Sequence, residues 1–311
     1  MSDHDLELRV KPISSLAEEW TEIFARSGST VPFLSYEWFQ SLIDNTIKED
    51  MKVISFYDQR IPVGILPASI SGDSLRLIGD ERITDINGLL YIPGYEMGIL
   101  RALSDFIKDK GLKVDLYPVE KTDPLIKMAD FIRTVKITDA DPCPILSLPN
   151  SWEEFLQMLD SKSRHELRRK LKRASTLRLK PGGADRIDIL FQMMSLSDRN
   201  KESFLTPEMI RFFKTIGRSF SAKGWLRYRL LVDGLKPIGT IFSFQIKKGV
   251  YLYNMGFDPA YAKLSPGIVL VALDIRSAID EGVDYYDFLR GDEDYKLRFG
   301  AKIRYTMRIA G

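Results

Sequence analysis

Residues 251–300 read YLYNMGFDPAYAKLSPGIVLVALDIRSAIDEGVDYYDFLRGDEDYKLRFG, and this stretch decides the fold. The pattern predicts a strand, a tight loop, a helix and a second strand. A polar turn rich in Asp, Glu, Tyr and Lys follows. A strand, a helix and a further strand in this order are typical of a mixed α/β sheet, and the tight loop before the helix suits an anion.

The predicted helix begins at Ser265-Pro266-Gly267, just before the apolar run 268–273. Serine is a common helix cap, proline is common at the first helical position, and glycine permits close approach to the backbone. The first turn of a helix presents unpaired N–H groups and the positive end of the helix dipole, so it can bind a phosphate without a lysine. An ordinary capped helix with no ligand is the alternative interpretation.

The chain has 311 residues, enough for two domains. A hydrophobic content of 44% and a mean hydropathy of −0.14 indicate a soluble globular protein. Apolar runs such as 268–273 are far shorter than the roughly 18 residues of a membrane-spanning helix. Asp3, Asp5 and Glu7 stand where a signal peptide needs basic and apolar residues. We therefore expect a cytoplasmic protein, with peripheral contact to the inner face of the membrane as a further option.

The cysteine and histidine counts argue against several chemistries. Cys143 is the single cysteine, so the chain forms no internal disulfide and no cysteine-ligated metal site. His4 and His165 are the two histidines, which disfavours histidine-ligated zinc and a Ser-His-Asp triad. We expect no metal, and a general base that is a carboxylate or a water.

Segment 162–173 concentrates positive charge. It holds seven Lys/Arg and one Glu, a formal +6, which leaves −4 for the rest of a chain whose net charge is +2. As a helix, it presents an apolar stripe of Leu167, Leu171 and Ala174 opposite its basic face. That face is a candidate site for an anionic ligand such as a sugar nucleotide, a lipid phosphate or nucleic acid, and a solvated helix is the alternative. The candidate contacts are Arg168, Arg169, Lys172 and Arg173.

The two halves of the chain follow one plan: helices, then an antiparallel meander, then a helix and a strand. The predicted meander strands cover residues 53–57, 61–70 and 75–78 in the first half, and 226–232, 238–246 and 250–257 in the second. No low-complexity linker separates the halves. We predict two domains, residues 1–150 and 151–311.

Motif residues in the C-terminal half resemble a known family. They are Tyr253, Gly256, Phe257, Asp258, Tyr261, Ala262, Ser265, Pro266 and Gly267, then Asp287-Phe288-Leu289-Arg290-Gly291-Asp292-Glu293 and Tyr295-Lys296. This set resembles the GNAT-type acyltransferases linked to cellulose and exopolysaccharide biosynthesis, the CelD group. The N-terminal half resembles the group more loosely, through Pro32-Phe33, Tyr36, Trp38 and Leu66-Pro67. A more distant resemblance, to the FemABX aminoacyltransferases, rests on Asp287-Phe288 and on Lys296-Leu297-Arg298-Phe299-Gly300.

The resemblance implies an α/β (α+β) fold of two tandem GNAT-like domains, each with a mixed, mostly antiparallel sheet flanked by helices. It also implies an N-acyltransferase that moves an acetyl or longer acyl group from acyl-CoA to an amino group. The acceptor would be a sugar or a cell-envelope or exopolysaccharide precursor. The C-terminal domain would hold the donor, and the degenerate N-terminal domain would lie on the acceptor side.

The resemblance further implies roles for single residues. Tyr295 is the candidate general acid, Asp287 the candidate base or orienting residue, and Lys296 the candidate contact to a phosphate or an oxyanion. Strand 250–257 is expected to supply an oxyanion N–H. The candidate cofactor-binding residues are Lys263, Ser265, Pro266, Gly267 and Ile268. The candidate substrate-binding residues are Tyr253, Tyr261, Arg290, Asp292 and Glu293, together with Arg168, Arg169 and Lys172. A solvated turn and ordinary core packing are the alternatives.

One departure concerns the helix start. Acetyl-CoA-dependent GNAT enzymes usually carry Gln/Arg-x-x-Gly-x-Gly/Ala there, whereas residues 261–267 contain a single glycine. Two alternatives therefore stay open. One is a FemABX-like transferase that takes its acyl group from aminoacyl-tRNA. Only in this alternative is a nucleic acid a substrate. The other is a non-catalytic binding protein of polysaccharide machinery.

Overall fold

A computed structural model describes residues 6–47, 51–79 and 82–311. Asp3, His4 and Asp5 lie outside the described residues. The chain divides into two compact units. Unit 1 comprises Met1–Pro142 and Tyr305–Gly311, and unit 2 comprises Cys143–Arg304.

The described strands are numbered in chain order. They are β1 (Leu6–Pro12), β2 (Lys52–Asp58), β3 (Ile61–Leu66), β4 (Ala68–Ser71), β5 (Ser74–Leu77), β6 (Leu90–Tyr91), β7 (Lys113–Glu120), β8 (Lys136–Ser147), β9 (Arg178–Pro181), β10 (Leu226–Asp233), β11 (Lys236–Ile246), β12 (Gly249–Phe257), β13 (Tyr285–Asp287) and β14 (Lys302–Ala310).

The described α-helices are numbered likewise. They are α1 (Ala17–Ser27), α2 (Tyr36–Leu42), α3 (Glu96–Lys110), α4 (Met128–Phe131), α5 (Trp152–Met158), α6 (Ser161–Arg173), α7 (Asp188–Ser197), α8 (Arg199–Phe204), α9 (Pro207–Ala222), α10 (Pro266–Asp280) and α11 (Asp294–Arg298). Short 3-10 helices cover Ile13–Leu16, Pro32–Leu34, Pro124–Lys127, Ala184–Arg186 and Pro259–Leu264, and a π-helix covers Ile43–Ile47.

Unit 1 contains two groups of paired strands. In the first, β1, β2, β3 and β6 pair in that order, all antiparallel. In the second, β4 pairs with β5, β5 runs parallel to β7, and β7 pairs with the unit 1 part of β14. The apolar face of α3 packs on these strands and supplies Ile99, Leu100 and Leu103 to the core of the unit.

Unit 2 is built on one group of strands in the order β8-β13-β12-β11-β10-β9, to which β8 contributes residues 143–147. Strands β10, β11 and β12 form an antiparallel meander, as predicted. Strand β13 runs parallel to β12 and antiparallel to β8. Helix α10 packs its apolar residues into the core of the unit, with Val269, Leu270 and Ile275 almost fully buried. The predicted α/β class, with sheets flanked by helices, is confirmed.

The structure corrects some predicted elements. The strand predicted over 61–70 is broken into β3 and β4, because Pro67 between them has no N–H to donate to a ladder. The sequence pattern predicts neither β1 nor β8. Strand β8 contains Pro142 and Pro144, which argue against a strand in a sequence-based prediction. Among the described residues, no helix has the length and apolar character needed to cross a bilayer.

Strand β12 packs directly against α7 at Gly256. A Cβ atom on Gly256 would lie 2.4 Å from the carbonyl carbon of Met193 and 2.5 Å from the backbone nitrogen of Met194. Both are backbone atoms, so a rotamer change cannot relieve the clash. Glycine is therefore required for this helix to lie on this strand.

We expect Gly256→Ala to lower the free energy of unfolding by about 3 kcal/mol, because overpacking forces backbone shifts. Gly224→Ala is the matched control, because Gly224 has a φ of +71° and a Cβ atom added there would have no neighbour within 4 Å. The control should cost only about 1 kcal/mol, the penalty for an L-residue in the left-handed region. Urea unfolding of both variants measures the difference, and equal losses would contradict the close contact.

Candidate functional site

The candidate site lies where β12 and β13 separate. The two strands pair at three positions, from Gly249 with Tyr285 to Tyr251 with Asp287. Strand β13 then ends, whereas β12 continues to Phe257. Among the described strands, none pairs with this edge of β12 over residues 252–257. An extended ligand that carries amide groups can pair with such an open edge.

A β-bulge interrupts β12 beside the opening. Phe242 pairs with Asn254 and Ser243 with Leu252, so Tyr253 is the extra residue. A bulge leaves the extra residue outside the regular ladder, which is compatible with the expected oxyanion N–H from this strand. The half-buried ring of Tyr253 stacks on Phe244, with ring centroids 5.3 Å apart. Its predicted role in substrate binding stays a prediction.

Helix α10 begins beyond the end of β12, after the 3-10 helix Pro259–Leu264. Pro266 occupies the first turn, as predicted. The predicted side-chain cap by Ser265 is wrong. Ser265 has φ 53° and ψ 54° and makes no side-chain capping bond, because a capping serine needs an extended backbone instead. Its own N–H donates to the carbonyl of Ala262 at 2.9 Å.

Two backbone donors remain at the start of α10. Helix geometry gives the N–H groups of Gly267 and Ile268 no acceptor within the helix, and Pro266 has no N–H. Both residues are partly exposed, and Lys263 is exposed in the preceding turn. A Cβ atom on Gly267 would lie 3.0 Å from the ring of Phe257, so the glycine lets this ring lie against the helix start.

Asp287 ends β13 and is fully buried. Its Oδ1 accepts the N–H of Leu289 at 2.8 Å, and its Oδ2 accepts a hydrogen bond from the Arg304 guanidinium. Leu289 has a φ of 56°, an uncommon value for a leucine. Asp287 thus fixes the turn that leaves β13, which fits the orienting alternative. Its role as a base stays a prediction.

Lys296 holds the polar turn that follows. Its side chain is nearly buried, and its Nζ donates to the carbonyls of Arg290 at 2.9 Å and Gly291 at 3.0 Å. Glu293 Oε2 lies 2.8 Å from the same nitrogen. These three acceptors match the three N–H donors of an ammonium. The predicted phosphate contact therefore requires Lys296 to give up a partner. Asp292 is exposed nearby.

Tyr295 and an unpredicted residue, Lys201, converge on Met255 of β12. The Tyr295 hydroxyl lies 3.9 Å from Met255 Sδ, and Lys201 Nζ donates to the Met255 carbonyl at 2.7 Å. Burial, with a smaller effect of the Glu293 carboxylate, raises the pKa of Tyr295. The phenol is protonated at neutral pH with or without this shift, so the role of Tyr295 as the general acid stays a prediction.

Helix α6 has the predicted apolar stripe and basic face. Leu167 and Ala174 are buried, whereas Arg169 and Lys172 are exposed. Arg168 is exposed as well and pairs with Glu153 at 2.8 Å. A small pocket joins α6 to the starts of α10 and α11, lined by Ser163, Glu166, Leu167, Lys170, Ile268, Tyr295, Arg298 and Phe299. Tyr261, in the 3-10 helix before α10, has Lys236 Nζ 5.1 Å from its ring centroid.

A buried ionic network holds together the elements that carry the site. Arg227 of β10 is 2% exposed, and its Nε donates to Asp274 Oδ1 of α10 at 2.9 Å. Tyr286 of β13 donates to Asp274 Oδ2 at 2.8 Å. The network connects β10, α10 and β13. Sequence reasoning missed it, because its members are 47 and 12 residues apart along the chain.

Unit 1 has polar cavities of its own. One of about 310 Å³ is lined in part by Arg76, Asp115 and Arg308. Another of about 280 Å³ includes Glu120 and Asp123, and burial raises the pKa of Asp123 to about 7. Among the described residues, no group of three or more His, Cys, Asp or Glu side chains is arranged to hold a metal ion.

Comparison with protein families gives a match within unit 2. Residues 161–297 match the model of the Acetyltransferase (GNAT) domain. This span contains the open edge of β12, the start of α10 and the residues from Lys201 to Lys296. Unit 2 carries a GNAT-like acetyltransferase domain. A search of curated proteins finds no match to the sequence.

Solved structures share the fold at low identity. FemX aligns over 97% of this chain and 96% of its own, at 9% identity and a TM-score of 0.68. L-PGS from Bacillus licheniformis aligns over 94% of this chain and 91% of its own, at 10% identity and a TM-score of 0.60. A tandem GNAT protein from the clavulanic acid biosynthesis pathway aligns over 98% of both chains, at 11% identity and 0.52. The similarity to a tandem GNAT fold confirms the predicted architecture. Membership of the CelD group stays a prediction.

We expect Lys296→Met to lower the free energy of unfolding by about 3 kcal/mol, because it leaves two carbonyls and a carboxylate without their donor. Lys302→Met, at an exposed lysine, is the control and should change stability little. Chemical unfolding measures both. A stable Lys296→Met variant would show that the turn does not depend on this ammonium.

Proposed function

We propose that the GNAT-like domain is an N-acyltransferase that moves an acyl group from acyl-CoA to an amino group. The observation that carries the proposal is the open edge of β12, which leads directly to two backbone donors at the start of α10. The acceptor is a sugar or a cell-envelope or exopolysaccharide precursor. That last part rests on the CelD resemblance.

Two parts of acyl-CoA, its phosphates and its amide-containing arm, suit two parts of the site. Its phosphates are anionic and suit the N–H groups of Gly267 and Ile268, where the helix dipole adds a positive potential. Its arm carries amides and suits the open edge of β12. Because β12 runs toward α10, the arm extends back from the phosphates toward the bulge at Tyr253. The thioester then lies near the bulge and the end of β13.

The proposed reaction is direct attack of a neutral amine on the thioester carbonyl. A backbone N–H at the bulge stabilises the oxyanion that develops. The C–N bond forms, the C–S bond breaks, and Tyr295 protonates the departing thiolate. The amine nitrogen loses one proton to a water or a carboxylate, and solvent returns a proton to the Tyr295 phenolate. Asp287 acts by holding the turn after β13, and Lys296 acts by holding the turn that carries Arg290 and Glu293.

Donor binding is tested by placing a negative charge at the start of α10. Gly267→Asp should weaken acyl-CoA binding by about tenfold relative to Gly267→Ala, because its carboxylate repels the phosphates. Both variants add the same Cβ beside Phe257, so their difference isolates the charge. An aspartate in the first helical turn should not lower stability relative to alanine. Titration calorimetry with acetyl-CoA and longer acyl-CoAs measures the affinities, and equal values would remove α10 from the donor site.

A second candidate function is transfer from aminoacyl-tRNA. The observation that favours it is the exposed basic face of α6, whose neighbour pocket includes Ile268 and Tyr295. Cations on a helix face suit the phosphates of RNA, and binding of this kind weakens as salt rises. The non-catalytic alternative uses the same face for an anionic partner and has no thioester turnover.

Charge reversal on α6 separates the two donors. The double variant Arg169→Glu with Lys172→Glu should weaken RNA binding by about tenfold or more and reduce its salt dependence, if tRNA is the donor. Lys136→Glu, at an exposed lysine of β8, is the control. With acyl-CoA as donor, the double variant keeps its thioester turnover, and RNase treatment changes nothing. Filter binding and thiol-release assays measure the two activities.

A further inference from the structure

Lys201 lies on the open edge of β12. It belongs to the short helix α8, and its partly buried Nζ donates to the carbonyl of Met255 at 2.7 Å. The two residues are 54 positions apart along the chain. No motif in the sequence draws attention to this lysine. Its position follows entirely from the packing of α7 and α8 beside β12.

The direction of the Met255 carbonyl defines the side on which Lys201 lies. The N–H of Asp258 donates to the carbonyl of Ile238, so Asp258 directs its backbone groups toward β11. Gly256 and Asn254 lie two and four residues before it and do the same, whereas Met255, opposite Ile241, occupies the alternate position. Successive residues of a strand direct their backbone groups to opposite edges. Met255 therefore presents its carbonyl to the edge that faces away from β11. This is the edge that β13 leaves open.

Lys201 is also close to the candidate general acid. Met255 accepts from Lys201 through its carbonyl and from Tyr295 through its sulfur, the latter at 3.9 Å. The charged groups that act on the Lys201 amine are Asp198 at the start of α8, and Glu293 and Lys296 on the turn after β13. The lysine thus stands where the proposed donor arm and proton donor meet.

The surroundings of Lys201 make its ammonium easier to deprotonate. Burial lowers the pKa of the ammonium, and Lys296 adds to this effect, whereas Asp198 and Glu293 oppose it. A lower pKa increases the fraction of neutral amine at neutral pH, and this form alone is nucleophilic. An exposed lysine at the same pH is almost entirely protonated.

We propose that Lys201 is an acyl acceptor within the chain, so that the domain acylates its own lysine from acyl-CoA. The inference rests on the proposed function, because it uses the same donor site. The neutral Nζ attacks the thioester carbonyl, the C–N bond of an amide forms, and the C–S bond breaks. The amine loses one proton and the departing thiolate gains one. The products are Nζ-acyl-Lys201 and free CoA thiol.

Acylation suits the site on physical grounds. The amide product keeps one N–H, which can still donate to the Met255 carbonyl. The positive charge is removed, so the cost of holding an ammonium in a partly buried position disappears. A lysine paired with a carboxylate does not gain stability in this way, since acylation would break its salt bridge. Lys214, which lies 2.7 Å from Asp188, is an example in the same unit.

The experiment is incubation of the purified chain with acetyl-CoA at neutral pH, followed by peptide mass mapping over time. Lys201 should gain one acetyl group at about ten times the rate of Lys214 or of exposed Lys162 and Lys302, because the bound thioester is held beside its amine. Lys201→Arg should abolish this fast phase and leave the slow labelling of the other lysines unchanged. Urea-unfolded chain should show no preference for Lys201.

A parallel measurement of CoA binding distinguishes failure of the self-acylation from failure of the proposed donor site. If CoA raises the melting temperature while Lys201 is acetylated no faster than Lys162, the inference is overturned and the donor site stands. If CoA and acetyl-CoA neither bind nor label the chain, both the donor site and the self-acylation are overturned. Fast labelling of Lys201 that Gly267→Asp slows and Gly267→Ala does not would support both.

Discussion

The short parallel pairing of β12 with β13 is the constraint on which the site depends. Three paired positions hold the strands together, and beyond them β12 continues without that neighbour. Unpaired backbone groups on a strand need a partner, and a ligand with amides can supply one. Had β13 been a few residues longer and kept its direction, the ladder would have closed the edge. Asp287 ends β13 by drawing the N–H of Leu289 back onto its carboxylate.

The charged side chains of α6 and those around the opening have different roles. The cations on the outer face of α6 are solvated, and they can act on a partner only through their potential. The charges behind and beside the opening are buried and paired. The ion pair of Arg227 with Asp274 joins β10 to α10, and Lys296 stabilises the turn after β13 through its hydrogen bond to the Arg290 carbonyl. Breaking a buried pair leaves an uncompensated charge, so these residues hold the geometry of the opening. Lys201 differs from both groups, since a carbonyl rather than a carboxylate accepts its hydrogen bond.

Several features could be predicted because they are local. The meander of β10 to β12 follows from alternating apolar residues and turn signals at Asp233-Gly234 and Lys247-Lys248-Gly249. The stripe of α6 follows from helical spacing, and Pro266 stands in the first turn because its fixed φ suits a helix and its missing N–H is not needed there. The role of Ser265 was predicted wrongly. A serine before a proline has the composition of a cap, but its backbone lies in the left-handed region, which composition does not reveal.

The sequence by itself determined the strand and helix periodicities of unit 2 and the concentration of positive charge on α6, because each depends on neighbouring residues. It also contained the motif residues that resemble GNAT acyltransferases. The tertiary structure alone decided that Lys201 reaches Met255, that Arg304 pairs with Asp287, and that Arg227 meets Asp274. These contacts join residues far apart in the chain. Their geometry depends on how each helix packs on the strands, and no local pattern in the sequence specifies it.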